Sequence, residues 1–288
     1  MKPKILLQLD GDTHASVFDA VVAIDSGVDK LLQYRGVDPA SVRDLVHGAI
    51  FTRGPADLIN TAIFIGGSNV AAGEMLLKRV TESFFGPLRV SVMLDANGAN
   101  TTAAAAVLAA SHQMDLDGAI AVVLAGTGPV GQRAARLLAR EGAVVRVASR
   151  SIDRSRATCV ALETAVSGAK LIPLQTASST EFQAAVQGAQ IVIAAGAAGA
   201  ELLSAAALAS APSVKVAIDL NAVPPAGIAG IEVMDKAMER NGVVCYGAIG
   251  VGGTKMKIHK AAIKKLFERN DLVLDAEEIF RLGCALDL

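Results

Sequence analysis

The chain has 288 residues, 52% of them hydrophobic, and a formal net charge of −1, so it can bury a large core and fill two domains of ordinary size. Near-neutrality argues against bulk binding to nucleic acid or to a membrane surface, and a transmembrane helix needs an apolar run of about 18 residues that this sequence lacks. MKPKILLQLDGD turns acidic too soon for a signal peptide, and Cys159, Cys245 and Cys284 are isolated and without metal-ligand spacing, which predicts reduced thiols in a cytoplasm and no metal site.

Lys4 to Leu9 predicts a strand running into Asp10-Gly11-Asp12, with Thr13 capping a helix that carries Val17, Phe18, Val21, Val22 and Ile24. Asp38-Pro39 opens a helix from Ala40 to Val46. Thr61 to Ile65 is a strand ending in Gly66-Gly67, a helix runs from Ser68 or Asn69 to Phe84, and Arg89 to Leu94 is a further strand. This alternation predicts a small parallel α/β domain. The polar turn Asp95 to Thr102 follows, at the carboxyl end of a strand, where helices are capped and ligands bind alike. Capping accounts for Asn100 or Thr101, whereas Asp95, Asn97 and Thr102 suit either role. An alanine-rich helix, Ala103 to Ser111, bridges to the next domain.

Ile120 to Leu124 is an apolar run of strand length, followed by AGTGPVG and then by helical spacing from Gln132 to Arg140. Gly126, Gly128 and Gly131 stand in G-x-G-x-x-G order at a strand-to-helix turn, the arrangement a dinucleotide requires. The first glycine permits the tight turn, the second lets backbone approach a pyrophosphate, and the third lets the helix pack on the strand. Free N–H groups at the helix start then face the phosphates. Gly126, Thr127, Gly128, Pro129, Val130 and Gly131 are therefore candidate cofactor-binding residues. Where NAD-binding units place an acidic residue, at the end of the second strand, this chain has Ser149 and Arg150, with Arg154 just beyond. A carboxylate would repel a 2′-phosphate and a guanidinium would grip it, so the cofactor predicted is NADP, with NAD the weaker alternative. Arg156, and Arg146 on the strand itself, read as solvated.

The alternation continues with a helix to Val166, a strand at Lys170 to Leu174 and a helix from Thr180 to Val186. Strands at Ile191 to Ala194 and Val214 to Ile218 end near Ala195-Gly196 and Asn221, the candidates for lying against a nicotinamide, although Gly196 serves equally as a turn. Val243 to Tyr246 is the last strand of this domain. The tail GAIGVGGTKMKIH reads as a glycine turn that aims Lys255 and Lys257 into a cleft, then an amphipathic helix and a final helix capped by Asp275. The fold class predicted is α/β: a Rossmann-type doubly wound sheet over 113–247, and a smaller α/β domain over 1–112 completed by 248–288.

SVFDAVV at 16–22, TAIFIGG at 61–67, FFGPLRVSVMLDANGANTTAAA at 84–105, AGTGPVG at 125–131 and GAIGVGGTKMKIH at 247–259 together resemble, along the full length, the bacterial NAD(P)-dependent methylene-tetrahydromethanopterin dehydrogenases, a class that includes enzymes accepting methylene-tetrahydrofolate. The resemblance implies a one-carbon substrate on a reduced pterin, a place in methylotrophic formaldehyde oxidation, a cytoplasmic homotrimer, and a cleft between Asp19, the Asp95 turn and Lys255 on one side and the nicotinamide on the other. It assigns Lys255 to the pterin, as the residue that orients substrate, with Asp19, Thr102, Lys257 and His259 as further pocket candidates. It also places arginine or lysine at Arg150 and Arg154. Oxidising a methylene bridge between two nitrogens expels hydride and leaves a cation those nitrogens stabilise. No proton leaves the carbon, so the reaction requires no acid, base or metal. Two other readings share the glycine turn. A shikimate-dehydrogenase-like enzyme needs a Lys and Asp pair for alcohol oxidation that the N-terminal half does not offer. A non-catalytic NADP(H)-binding sensor needs no pterin pocket.

Overall fold

The computed structural model describes residues 2–286. In chain order the elements are β1 (Ile5–Leu9), α1 (Val17–Asp25), β2 (Lys30–Tyr34), α2 (Val42–Phe51), β3 (Thr61–Ile65), α3 (Val70–Glu82), β4 (Ser91–Leu94) and α4 (Ala99–Ser111). There follow β5 (Ile120–Leu124), α5 (Pro129–Arg140), β6 (Val144–Ser149), α6 (Ile152–Ala165), β7 (Lys170–Gln175), α7 (Ser179–Val186), β8 (Ile191–Ala194), α8 (Ala205–Ala209), β9 (Val216–Asp219), β10 (Met238–Arg240) and β11 (Val243–Tyr246). The chain closes with α9 (Ala248–Lys265), β12 (Val273–Leu274) and α10 (Ala276–Cys284). They form two compact units: residues up to Thr101 with those from Met256 onward, and Thr102–Lys255.

The first unit holds a five-stranded parallel sheet in the order β12-β4-β3-β1-β2. Its central strand, TAIFI, is buried at every position, as a parallel strand covered on both faces must be. β2 and β12 have no counterpart in the sequence reading. β2 is a largely exposed edge with polar ends, and β12 is two residues long, so neither carries an apolar run. The cap of α1 is Ser16, whose Oγ accepts the Asp19 N–H at 3.2 Å, and not Thr13. Asp10 moves the start: its carboxylate accepts the N–H groups of Asp12 and Ser16 and holds the chain in a loop as far as Ser16. α2 likewise starts later than Ala40, because Asp38 Oδ1 takes the N–H groups of Ala40 and Ser41 into a turn. α1 buries Val22 and Ala23 and leaves Val17, Phe18, Val21 and Ile24 exposed.

The second unit holds a seven-stranded sheet in the order β10-β11-β9-β8-β5-β6-β7, parallel except for the β10–β11 pair. From β5 the chain winds outward through β6 and β7, then returns to wind the other way through β8, β9 and β11. The order reverses between β5 and β8, the place where doubly wound sheets bind ligands at their carboxyl ends. The two outer strands are β7, which carries Pro173, and β10, which is three residues long. Burial raises the thiols of Cys159 and Cys245, the latter to about 11, so both stay protonated at neutral pH.

The start of the tail departs from the glycine turn expected of it. Gly247 to Gly253 do not form a turn; all but Gly247 lie in the first turns of α9. Glycine is required because the backbone of 232–235 crosses the start of that helix, where a Cβ on Gly247 or Gly250 would run into the Glu232 or Asp235 carbonyl. The crossing segment satisfies the helix's first donors, with Gly247 N–H on the Asp235 carbonyl and Ile249 N–H on the Val233 carbonyl, both at 2.9 Å. Asp235 fastens the segment by accepting the Glu232 N–H and a bidentate pair from Arg240 at 2.7 and 2.8 Å.

The Arg240 guanidinium holds the Asp235 carboxyl below the usual carboxylate range. A lowered native pKa contributes stability that is present above the unfolded value and is lost as pH falls through the native one. Thermal denaturation of Asp235→Asn from pH 7 down to 3 should therefore show a shallower acid limb than wild type. Parallel limbs would remove this carboxylate from the account.

Candidate active site

The site in the second unit begins at the turn between β5 and α5. A Cβ on Gly126 would stand 2.8 Å from the Val123 carbonyl oxygen and 3.0 Å from Val147 Cγ1. One on Gly131 would stand 2.8 Å from both the Ala125 oxygen and Gly126 Cα. Both glycines are thus demanded by packing alone. Gly128 differs, since the nearest atom to a Cβ there is the Ala125 oxygen at 3.5 Å. The protein's own packing leaves room for a side chain at Gly128, and what its absence keeps clear is the approach to the N-terminus of α5, the place where dinucleotide-binding turns of this spacing take a pyrophosphate. Pro129 takes the first helical position, where no N–H is needed. Thr127 bonds toward Ser149, Oγ to Oγ at 3.4 Å, and Gln132 Nε2 donates to the Thr127 carbonyl at 2.7 Å. Val130 is half-buried on the first turn. Ala125, not singled out from the sequence, sits at φ 54, a left-handed conformation that stores strain beside the turn.

β6 delivers the next group. Ser149 is buried and its Oγ also accepts the Ser151 N–H at 3.3 Å, while Arg150 and Arg154 are exposed at the start of α6. Ser151 caps that helix through the Arg154 N–H. Arg146 is not solvated; its guanidinium donates to the carbonyls of Ala185 and Gln187 at 2.8 and 2.7 Å and closes the end of α7. Arg156 lies 3.8 Å from Asp153 on the exposed face of α6.

At the carboxyl ends of β8 and β9, Ala195 is half-buried with its N–H on the Leu124 carbonyl. A Cβ on Gly196 would stand 2.8 Å from Leu202 Cδ1, so only the end of the Leu202 side chain would have to shift to admit one. The Asn221 side chain is committed to its own loop, accepting from the Val223 N–H and donating to the Pro225 carbonyl, each at 3.0 Å. A cavity of about 370 Å³ opens beside it, lined by Glu201, Asp219, Asn221, Val223, Pro224 and Gly247 among others.

The first unit gathers a second group at the carboxyl ends of β1, β3 and β4. Asp95 is buried and gathers the start of α4: Oδ1 accepts the N–H groups of Asn100 and Thr101 at 3.0 Å, and Oδ2 accepts the Thr101 hydroxyl at 2.7 Å. Asn100 lies inside the first turn of α4, and its Nδ2 ties the Leu94 carbonyl to Asp275. His259, 1% exposed, brings Nδ1 to 3.8 Å from Asp95 and stacks on Phe64 with ring centroids 5.6 Å apart. Asn97 is exposed at φ 54, its N–H on the Gly67 carbonyl. Asp19 lies in the first turn of α1, where a Cβ on Gly66 would stand 3.3 Å from its Oδ2. Asp10, missed as a structural residue, borders the same two glycines. Lys257 on α9 is exposed, whereas Thr102 on α4 and Lys255 on α9 belong to the second unit, where each is half-buried. Among the described residues no group of three or more His, Cys, Asp and Glu is placed to hold a metal ion, and no helix is long and apolar enough to cross a membrane.

A sheet that reverses its winding beside a glycine turn of this kind defines the class of NAD(P)-binding α/β oxidoreductases. A family model described as putative NAD(P)-binding matches residues 113–222, and one described as methylene-tetrahydromethanopterin dehydrogenase, N-terminal, matches 17–97. The chain is 46% identical over 285 residues to the bifunctional protein MdtA of Methylorubrum extorquens, covering 98% of this chain and 99% of that one. It is 35% identical over 293 residues to the NAD(P)-dependent methylenetetrahydromethanopterin dehydrogenase of the same organism, covering 98% of each. Quinate dehydrogenase from Corynebacterium glutamicum, solved with NAD, shares the fold at a TM-score of 0.56 and 13% identity over 99% of this chain and 100% of that one. The 5-ketofructose reductase of Gluconobacter sp. does so at 0.53 and 14%, over 99% of each. The chain belongs to the methylene-tetrahydromethanopterin dehydrogenase family and is an NAD(P)-dependent oxidoreductase.

The two kinds of glycine in the turn separate by experiment. Gly128→Ala should melt close to wild type yet bind dinucleotide about tenfold more weakly, while Gly131→Ala should lower the melting temperature as well. Calorimetry paired with titration checks this; equal losses of stability in both variants would erase the distinction.

Proposed function

We propose that the chain takes a hydride from the methylene carbon of methylene-tetrahydromethanopterin and passes it to NADP+, leaving methenyl-tetrahydromethanopterin and NADPH. For the substrate, the support is full-length similarity to a relative named for that reaction. For the cofactor, it is that β6 ends on Ser149, followed by Arg150 and not by a carboxylate, with Arg154 in the first turn of α6. Among the described residues neither guanidinium meets an acceptor, so both are available to a 2′-phosphate, which binds guanidinium bidentately. Gly126 to Gly131 cradle the pyrophosphate, while Ala195, Gly196 and Asn221 border the nicotinamide, which when bound supplies the hydride acceptor.

Because the hydride leaves with its electron pair and the flanking nitrogens supply the stabilising density, no side chain has to move a proton. Lys255 orients the pterin. Asp19, Asn97, Thr102 and Lys257 contribute to its pocket, and Asp95 and His259 do so from buried positions that fix the loop and helix carrying those residues. Methylene-tetrahydrofolate as substrate and NAD as acceptor are the nearest variants of this reading, and kinetics with both pterins and both nicotinamides distinguish them. We place the enzyme in the cytoplasm, in formaldehyde oxidation, as a homotrimer; exposed Val17, Val21 and Ile24 on α1 offer an apolar face that a second copy would cover.

Arg150→Ala should weaken NADP+ about tenfold or more and NAD+ hardly at all, since only the first carries the 2′-phosphate. Equal loss for both dinucleotides would overturn the phosphate assignment. Lys255→Ala should lower turnover or pterin affinity while the dissociation constant for NADP+ stays near that of wild type. A variant that runs at the wild-type rate would discard the role given to this lysine.

A further inference from the structure

Asp219 ends β9 with its carboxylate 2% exposed, a costly place for a charge unless its lone pairs are used. They are used on both arms of one loop. Oδ1 accepts the Asn221 N–H at 3.0 Å, and Oδ2 accepts the Ile228 N–H at 3.1 Å. The far arm is fixed in turn, because the Gly227 carbonyl accepts from Leu202 and Leu203 at 2.8 and 3.0 Å. The near arm is anchored by the Leu220 N–H on the Ala194 carbonyl at the end of β8. Gly227 is held to glycine from this side, for a Cβ would stand 2.7 Å from Asp219 Oδ1 and 3.3 Å from Ala194 Cβ. Asn221, whose amide spans Val223 and Pro225 within the same loop, therefore hangs from a carboxylate that burial pushes up from its ordinary value. Asp219 and Asn221 both line the cavity of about 370 Å³ at this end of the sheet.

We propose that Asp219 is a positioning residue for the nicotinamide half of the cofactor, acting by clamping the two arms of the 220–228 loop against the end of β9. The proposal rests on the dinucleotide reading above and adds to it the residue that shapes the nicotinamide end. No other side chain of that size replaces it. Asparagine keeps one acceptor oxygen but turns an NH2 group toward a backbone donor, so one arm of the loop is released.

The adenine half binds at β5 and β6, away from this loop, so the test compares whole cofactor with fragment. Asp219→Asn should bind NADP+ about tenfold more weakly, with adenosine 2′,5′-bisphosphate unchanged to within about twofold, and should lose turnover beyond its loss of affinity. Gly227→Ala presses on the same carboxylate from the opposite side and must reproduce that split; it decides the matter if Asp219→Asn fails to fold. Equal weakening of NADP+ and the bisphosphate, or no weakening of either, overturns the proposal. Should wild type prefer NAD+, the phosphate assignment falls and this one is tested with NAD+ against adenosine 5′-phosphate.

Discussion

Backbone meeting backbone without a side chain between them is the constraint on which this molecule depends. At Gly126 and Gly131 the turn after β5 folds back on the Val123 and Ala125 carbonyls so closely that a single methyl would force strand and helix apart. The start of α5 is thereby pinned above the sheet, and its free N–H groups face a fixed point in space. The strained Ala125 and the bonds from Thr127 and Gln132 belong to the same arrangement. The device recurs at the start of α9, where Gly247 and Gly250 let the 232–235 segment lie across the helix. Gly73 meets side chains instead, a Cβ there standing 2.9 Å from that of Ala96, so α3 rides close on the Asp95 turn. A chain with 27 glycines and 3% aromatics builds its core by such approaches and not by large rings.

Polar groups then aim what the glycines bring near. Buried carboxylates at three strand ends do the same work in different places: Asp10 arranges the loop before α1, Asp95 collects the start of α4, and Asp219 joins the arms of the loop after β9. At all three, backbone N–H groups bind the carboxylate oxygens, joined at Asp95 by the Thr101 hydroxyl and by His259 Nδ1 at 3.8 Å.

Much of the second unit was legible in the sequence because its signals are local. An apolar run, three glycines at fixed spacing and a capped helix sit within about twenty residues of one another, and Ser149-Arg150 falls at a position set by the length of one β-α-β unit. The Asp95 turn was legible as a cap or a site for the same reason. What escaped depended on distant partners. Glycine before a run of lysines reads as a turn unless the 232–235 segment is known to pass over it, and nothing near Gly247 in sequence says so. Arg146 looked solvated because its acceptors, Ala185 and Gln187, are some forty residues away. Thr13 was a sound cap by type, but Asp10 had already drawn the loop to Ser16. β2 and β12 are too exposed or too short to show a period, and they are strands only because an open sheet edge is there to receive them.

The outer strands of the large sheet carry a consequence for the molecule in concentrated solution. β7 contains Pro173, which removes a donor from the flank that faces outward, and β10 is three residues long and runs antiparallel to its neighbour. An incoming polypeptide hunting for a ladder to extend finds one rail notched and the other cut short. A sheet built from runs as sticky as IAVVL and IVIA is thus kept from growing into fibres by the poor quality of its margins.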